Sequence, residues 1–99
     1  MISINRRWAS YRDKAKIQGL EWSLTKEDFV EILTSNCKYC GKTEINNLVG
    51  VDRFDNKIGY TKDNSVPCCQ WCNYSKRERT VEEFLNWANE LVGFQKGLK

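Results

Sequence analysis

Two short cysteine pairs, Cys37-Lys38-Tyr39-Cys40 and Cys69-Gln70-Trp71-Cys72, separated by 28 residues, constrain this chain more than any other feature. A two-residue spacer lets both thiolates of one turn reach a single tetrahedral ion at about 2.3 Å, so two such pairs read as a zinc site. Gly41 follows the first pair and lets the backbone turn so that amides point at the sulfurs. A redox dithiol needs a βαβ context, which the turn-rich centre, residues 37–79, does not offer. The fifth cysteine, Cys68, is spare; pairing it instead of Cys69 with Cys72 gives C-x3-C, an alternative ligand set. Four cysteine ligands close the coordination, so the Zn2+ is structural. It also answers a shortage of apolar residues in the centre, because metal binding supplies about 10 to 16 kcal/mol in small metallo-domains.

Ninety-nine residues fit one domain. With 40% apolar and 29% charged residues and a mean hydropathy of -0.65, the chain has too much core material for disorder and no apolar run long enough for a membrane span. Histidine is absent, which removes the imidazole base, the Ser-His nucleophile pair and the His metal ligand. The odd cysteine count and the start Met1-Ile2-Ser3-Ile4-Asn5-Arg6-Arg7, which lacks a signal peptide's apolar run, point to a reducing cytoplasm.

Residues 1–36 form a basic helical region. Ile4, Trp8, Tyr11 and Ala15 recur at helical spacing, with Arg6, Arg7, Arg12, Lys14 and Lys16 on the outer face. Gly19 ends that helix, and Leu20, Trp22 and Leu24 alternate as a short strand. Thr25 then suits the N-cap of a second helix running to about Ser35, with Phe29, Ile32 and Leu33 as its buried stripe. In the centre, residues 48–54 have strand character, 55–60 form a loop and 64–67 lead into the second cysteine pair. Over residues 80–99 the capping box Thr80-Val81-Glu82-Glu83 opens a helix whose stripe is Val81, Phe84, Leu85, Ala88, Leu91 and Val92.

The first cysteine pair, the Asp52-Arg53 strand, Asn64 and the run Cys69-x2-Cys72-Asn73-x2-Lys76 resemble the HNH endonucleases, also called His-Me finger or ββα-metal nucleases, in their zinc-bound treble-clef form. The basic first helix, the Trp22-Ser23-Leu24-Thr25 stretch with Phe29 and the last helix are similar to the flanks of small phage-type members. The resemblance implies an α+β fold with flanking helices and a single HNH-like domain over 1–99. It implies that Asp52 and Asn73 are oxygen ligands of a catalytic Mg2+ or Mn2+, and that Asn64 braces the loop. Hard oxygen ligands suit those ions.

One position departs from the family pattern: the residue after Asp52, where the family has the His that activates water, is Arg53. A guanidinium with a pKa above about 12 cannot accept a proton near neutrality. Arg53 is left to clamp a phosphate oxygen or stabilise developing charge, or else to form a salt bridge with Asp55 or Asp63. The proton then goes to metal-bound hydroxide, to bulk water or to a nearby carboxylate such as Asp55, and losing a positioned base costs about 10²- to 10⁴-fold in rate.

The net charge of +3, from 16 basic and 13 acidic residues, favours a polyanion only where cations cluster. Arg6, Arg7, Arg12, Lys14 and Lys16, with Lys76, Arg77 and Arg79 after the second cysteine pair, are eight such candidates for phosphate contacts. Trp71 and Tyr74 are expected to pack on the zinc turn or the core. The expected function is a metal-dependent DNA endonuclease or nickase acting on double-stranded DNA, with a monomer as the default state. The competing reading is a zinc-stabilised nucleic-acid-binding module that keeps the nuclease scaffold without its chemistry.

Overall fold

The computed structural model describes residues 4–43 and 48–97. The outermost residues of the expected terminal regions, 1–3 and 98–99, lie outside it. Helix α1 (Ile4–Ile17) presents Ile4, Trp8, Tyr11 and Ala15 inward, with Ala15 wholly buried. Lys14 and Lys16 sit in its last turn, where cations meet the negative end of the helix dipole. Gly19 stops it at φ +70°: its N–H bonds Lys16 O and the next N–H, of Leu20, reaches back to Ala15 O at 2.8 Å. Those two bonds form the Schellman arrangement, which needs a residue free to adopt positive φ.

Helix α2 (Lys26–Leu33) opens on Thr25, whose hydroxyl accepts from Asp28 N while the Asp28 carboxylate accepts from Thr25 N. The buried stripe is Phe29 and Leu33. Phe29 is the centre of an aromatic cluster, edge-on to Trp8 at 5.4 Å and to Tyr11 at 5.7 Å, with Trp22 at 6.3 Å. Val51 closes the core from the sheet.

Leu20, Trp22 and Leu24 do not build the strand that their alternation suggests. The segment makes one parallel bridge, Trp22 to Tyr60, with Tyr60 N bonding Glu21 O and Ser23 N bonding Tyr60 O. Gly59 permits this approach, since a Cβ there would lie 2.6 Å from the Glu21 backbone.

Strands β1 (Gly50–Arg53) and β2 (Ser65–Cys68) pair antiparallel, with Asp52 opposite Val66 and Val51 opposite Pro67. A two-stranded sheet leaves both strands as edges, so Pro67 is tolerated. Helix α3 (Gln70–Lys76) follows immediately on β2 and packs on β1, completing a ββα unit. Helix α4 (Val81–Gln95) opens on the expected capping box of Thr80 and Glu83. Its apolar stripe, however, is buried only at Phe84, which meets Tyr39 edge-on at 5.7 Å. Leu85, Leu91 and Val92 remain 46–47% exposed because, among the described residues, nothing lies across the outer turns of the last helix. No helix of the described residues is long and apolar enough to cross a membrane.

Candidate metal centre and nucleic-acid cleft

Cys37 and Cys40 sit on a turn that ends at Gly41, where φ is +75° and the N–H bonds Cys37 O at 3.0 Å. Cys69 is the N-cap of α3 and Cys72 lies one turn on, so the helix start brings the second pair to the same point. All four sulfurs lie within 4.8 Å of one another, and Cys40 Sγ is 3.7 Å from Cys69 Sγ. An ion with four bonds of about 2.3 Å has tetrahedral edges of about 3.8 Å, so the set has the dimensions of a closed four-thiolate metal site. Burial raises the Cys37 thiol, but N–H groups of Cys40, Cys69 and Tyr39 outweigh it and bring it down to about 7. Cys68 is outside the group: its buried thiol faces Cys69 O at 3.5 Å and is pushed well up by burial and the nearby Asp52 charge. The C-x3-C alternative is thereby set aside.

Asp52 sits on β1, 7% exposed, with Oδ2 accepting from the Tyr39 phenol at 2.7 Å and paired with Lys76 Nζ at 3.2 Å. Lys76 is wholly enclosed and also donates to Arg53 O at 3.3 Å. That overturns its expected place among the phosphate contacts: a buried ammonium bound to a carboxylate does not reach a ligand in solvent. Burial and the bond to Asp52 push the Tyr39 phenol far up, so it stays protonated and donating. Tyr39 was not singled out by sequence; its place inside the first cysteine turn, facing the strand that follows, is the signal.

Arg53 forms no salt bridge with Asp55 or Asp63. Its Nη1 donates to Asn56 O at 2.6 Å and Ile58 O at 3.2 Å, and its guanidinium lies 5.7 Å from the Tyr60 ring centre. Asn64, also buried, holds the same loop: Oδ1 accepts from Asp55 N, and Nδ2 donates to the carbonyls of Asp55, Ile58 and Gly59. Asn73 is exposed on α3, and among the described residues no hydrogen bond joins it to Asp52.

Asn73 instead lines a cleft of about 740 Å³ together with Arg7, Gln70, Tyr74 and Arg77. Arg7 is fixed there by bonds from Nη1 to Leu48 O at 3.2 Å and Val49 O at 3.1 Å. Arg77 caps α3 at φ +48°, a conformation that costs a residue with a Cβ of order 1 to 3 kcal/mol. Arg6, Arg12, Lys14, Lys16 and Arg79 are exposed, Arg12 stacking over Trp8 and Arg79 bonding Ser75 O. Trp71 and Tyr74, expected to pack on the zinc turn or the core, are 73% and 64% exposed. The face of α3 that meets β1 is taken by Lys76, and these two rings lie on the remaining surface.

No family model matches the chain. An uncharacterized protein of Acanthamoeba polyphaga mimivirus is 39% identical over 90 residues, covering 91% of this chain; the chain spans 17% of that protein's length. Among solved structures, the rare-cutting HNH restriction endonuclease PacI is similar over 98% of this chain and 83% of its own, with a TM-score of 0.67 at 24% identity. The chain therefore has the fold of an HNH endonuclease, a small α+β architecture with a four-cysteine cluster.

Proposed function

We propose that the chain is a metal-dependent DNA endonuclease or nickase of the HNH type, acting on double-stranded DNA. The supporting observation is the ββα unit itself: β1 and β2 pair, α3 follows directly, and the four-cysteine cluster joins the start of α3 to the first cysteine turn, on a fold similar to that of a DNA-cutting enzyme. In this reading Cys37, Cys40, Cys69 and Cys72 hold a structural Zn2+. Asp52 and Asn73 supply oxygen donors for Mg2+ or Mn2+. A carboxylate offers about four acceptor sites, and Tyr39 and Lys76 both engage Oδ2 of Asp52, so Asp52 keeps acceptor capacity that a hard cation would use. When bound, that ion supplies charge neutralisation at the scissile phosphate.

The chain's own residues do the rest. Asn64 and Arg53 together fix the loop after β1, which sets where the Arg53 guanidinium is held. Arg53 neutralises phosphate charge and takes no proton. Tyr39 keeps its proton, so neither residue is the base, and the proton released by the attacking water leaves through solvent. Slow turnover is expected. Arg6, Arg7, Arg12, Lys14, Lys16, Arg77 and Arg79 supply the phosphate contacts.

The test is conversion of supercoiled plasmid to open circle with Mg2+ or Mn2+, comparing the chain with Asp52→Ala. Nicking by the parent and none by the variant is the expected result; equal activity in both removes the assignment. The binding-module reading draws on a specific observation, the commitment of Arg53 Nη1 to two loop carbonyls. Salt-dependent DNA binding without cleavage by the parent decides for it.

A further inference from the structure

Trp71 is anomalous on physical grounds. An indole buries a large apolar area when it can, yet this one is 73% exposed. It is not on a loose tail: it lies in the first turn of α3, between Cys69 and Cys72 of the cluster. Tyr74 lies one helical turn on, on the same side of α3, and is 64% exposed. Lys42 Nζ sits 5.7 Å from the Trp71 ring centre, and Tyr74 borders the cleft that holds Arg7 and Arg77. Among the described residues, none that lines that cleft carries a carboxylate.

A pair of exposed rings one helical turn apart, beside cations of which Arg7 is fixed by two hydrogen bonds, matches one ligand chemistry: flat aromatic faces joined by phosphates. In a duplex those faces are stacked on one another and hidden. Only unpaired bases offer them, and stacking on aromatic side chains is tolerant of sequence because every base has a π-face. A protein partner for so cationic a surface would have to be acidic, and acidic side chains gain nothing from an indole face.

We propose that Trp71 and Tyr74 form a stacking platform for unpaired bases, so that the strand engaged at the cleft is single-stranded or locally opened. This rests on the nucleic-acid reading above and narrows its substrate to strands that are open at the site of contact. Arg7 and Arg77 hold the phosphates of that strand while the two rings take its bases.

The experiment measures binding of the zinc-loaded full chain, without Mg2+, to a fluorescein-labelled single strand, to its perfect duplex, and to the duplex with a central mismatched bubble. Trp71→Ala and Tyr74→Ala are each expected to weaken single-strand and bubble binding by about 5- to 100-fold and to move duplex binding by less than about twofold. Trp71→Phe retains most of the affinity, since a smaller ring still stacks, and zinc content stays at one per chain in every variant. An equal loss on all three probes, or no loss on any while the parent binds duplex, overturns the platform and leaves the nucleic-acid reading standing. Failure of the parent to bind any probe removes both.

Discussion

Around Phe29 order is built from rings: Trp8, Tyr11 and Trp22 surround it within 6.3 Å, Tyr60 packs on Trp22 at 5.2 Å, and the phenylalanine itself is wholly buried. The cysteine turn has a thinner packing, Tyr39 stacked on Phe54 at 6.4 Å and edge-on to Phe84 at 5.7 Å; beside it four sulfurs converge, while Trp71 and Tyr74 face solvent. The first region is stabilised by area removed from water and tolerates loss in increments; with zinc on the four sulfurs, as proposed, the second would depend on one centre, and its loss would be all or none.

That difference is broken most severely by removing the metal. If the cluster holds zinc as proposed, chelation should withdraw the roughly 10 to 16 kcal/mol that such centres supply, and Cys37→Ser a part of it, with loss of hydrogen-exchange protection in β1, β2 and α3. Cys68→Ser should leave one zinc per chain, because that thiol lies outside the cluster. Phe29→Ala, the matching insult to the other region, should cost about 3 to 5 kcal/mol in urea unfolding yet leave zinc stoichiometry untouched. Zinc loss in Phe29→Ala would show that the two regions are one cooperative unit.

The two meet at Asp52, which Tyr39 approaches from the cysteine turn and Lys76 from α3. Lys76→Ala leaves a buried carboxylate without its cation and should cost about 3 to 5 kcal/mol, whereas Lys76→Met with Asp52→Asn should recover most of that. If the double variant instead shows the sum of both single losses, the pair is not coupled.

Local signals of the chain's elements were legible where physics is local. The Gly19 stop, the Thr25 and Thr80 caps and the sulfur set all follow from spacing and residue type, and the structure reproduces each. Contacts between distant segments were not. Lys76 reads as one cation in a basic run because its charge is visible in sequence and its burial against Asp52, 24 positions earlier, is not. Trp71 and Tyr74 read as packed on the zinc turn or the core because aromatic rings usually are packed. The stripe of α4 reads as buried because periodicity reports an amphipathic face and cannot report whether anything covers it.

The smallest effect separates the two capped helices. α2 is anchored by Phe29 and Leu33 beneath it, while α4 is anchored near its start at Phe84 and stands half-exposed beyond. Thr25→Ala and Thr80→Ala each remove a cap worth about 1 kcal/mol. In α2 that loss should pass into global stability, since the helix is part of the core. In α4 it should show as local fraying, with faster amide exchange confined to the helix. Acid should act in the same sense. Glu83 is held below the ordinary carboxylate range by the hydrogen bond from Thr80 N and then by the Thr80 side chain, and Asp28 likewise by Thr25. A carboxyl depressed in the folded state adds stability above its unfolded pKa and loses it as pH falls through the folded one. Lowering pH through that window should therefore fray the start of α4 while α3, which has no carboxylate in its first turn, keeps its protection. Glu83→Gln keeps an acceptor that does not titrate, so it should abolish the pH dependence without removing the cap; acid fraying that persists in Glu83→Gln would place its origin elsewhere.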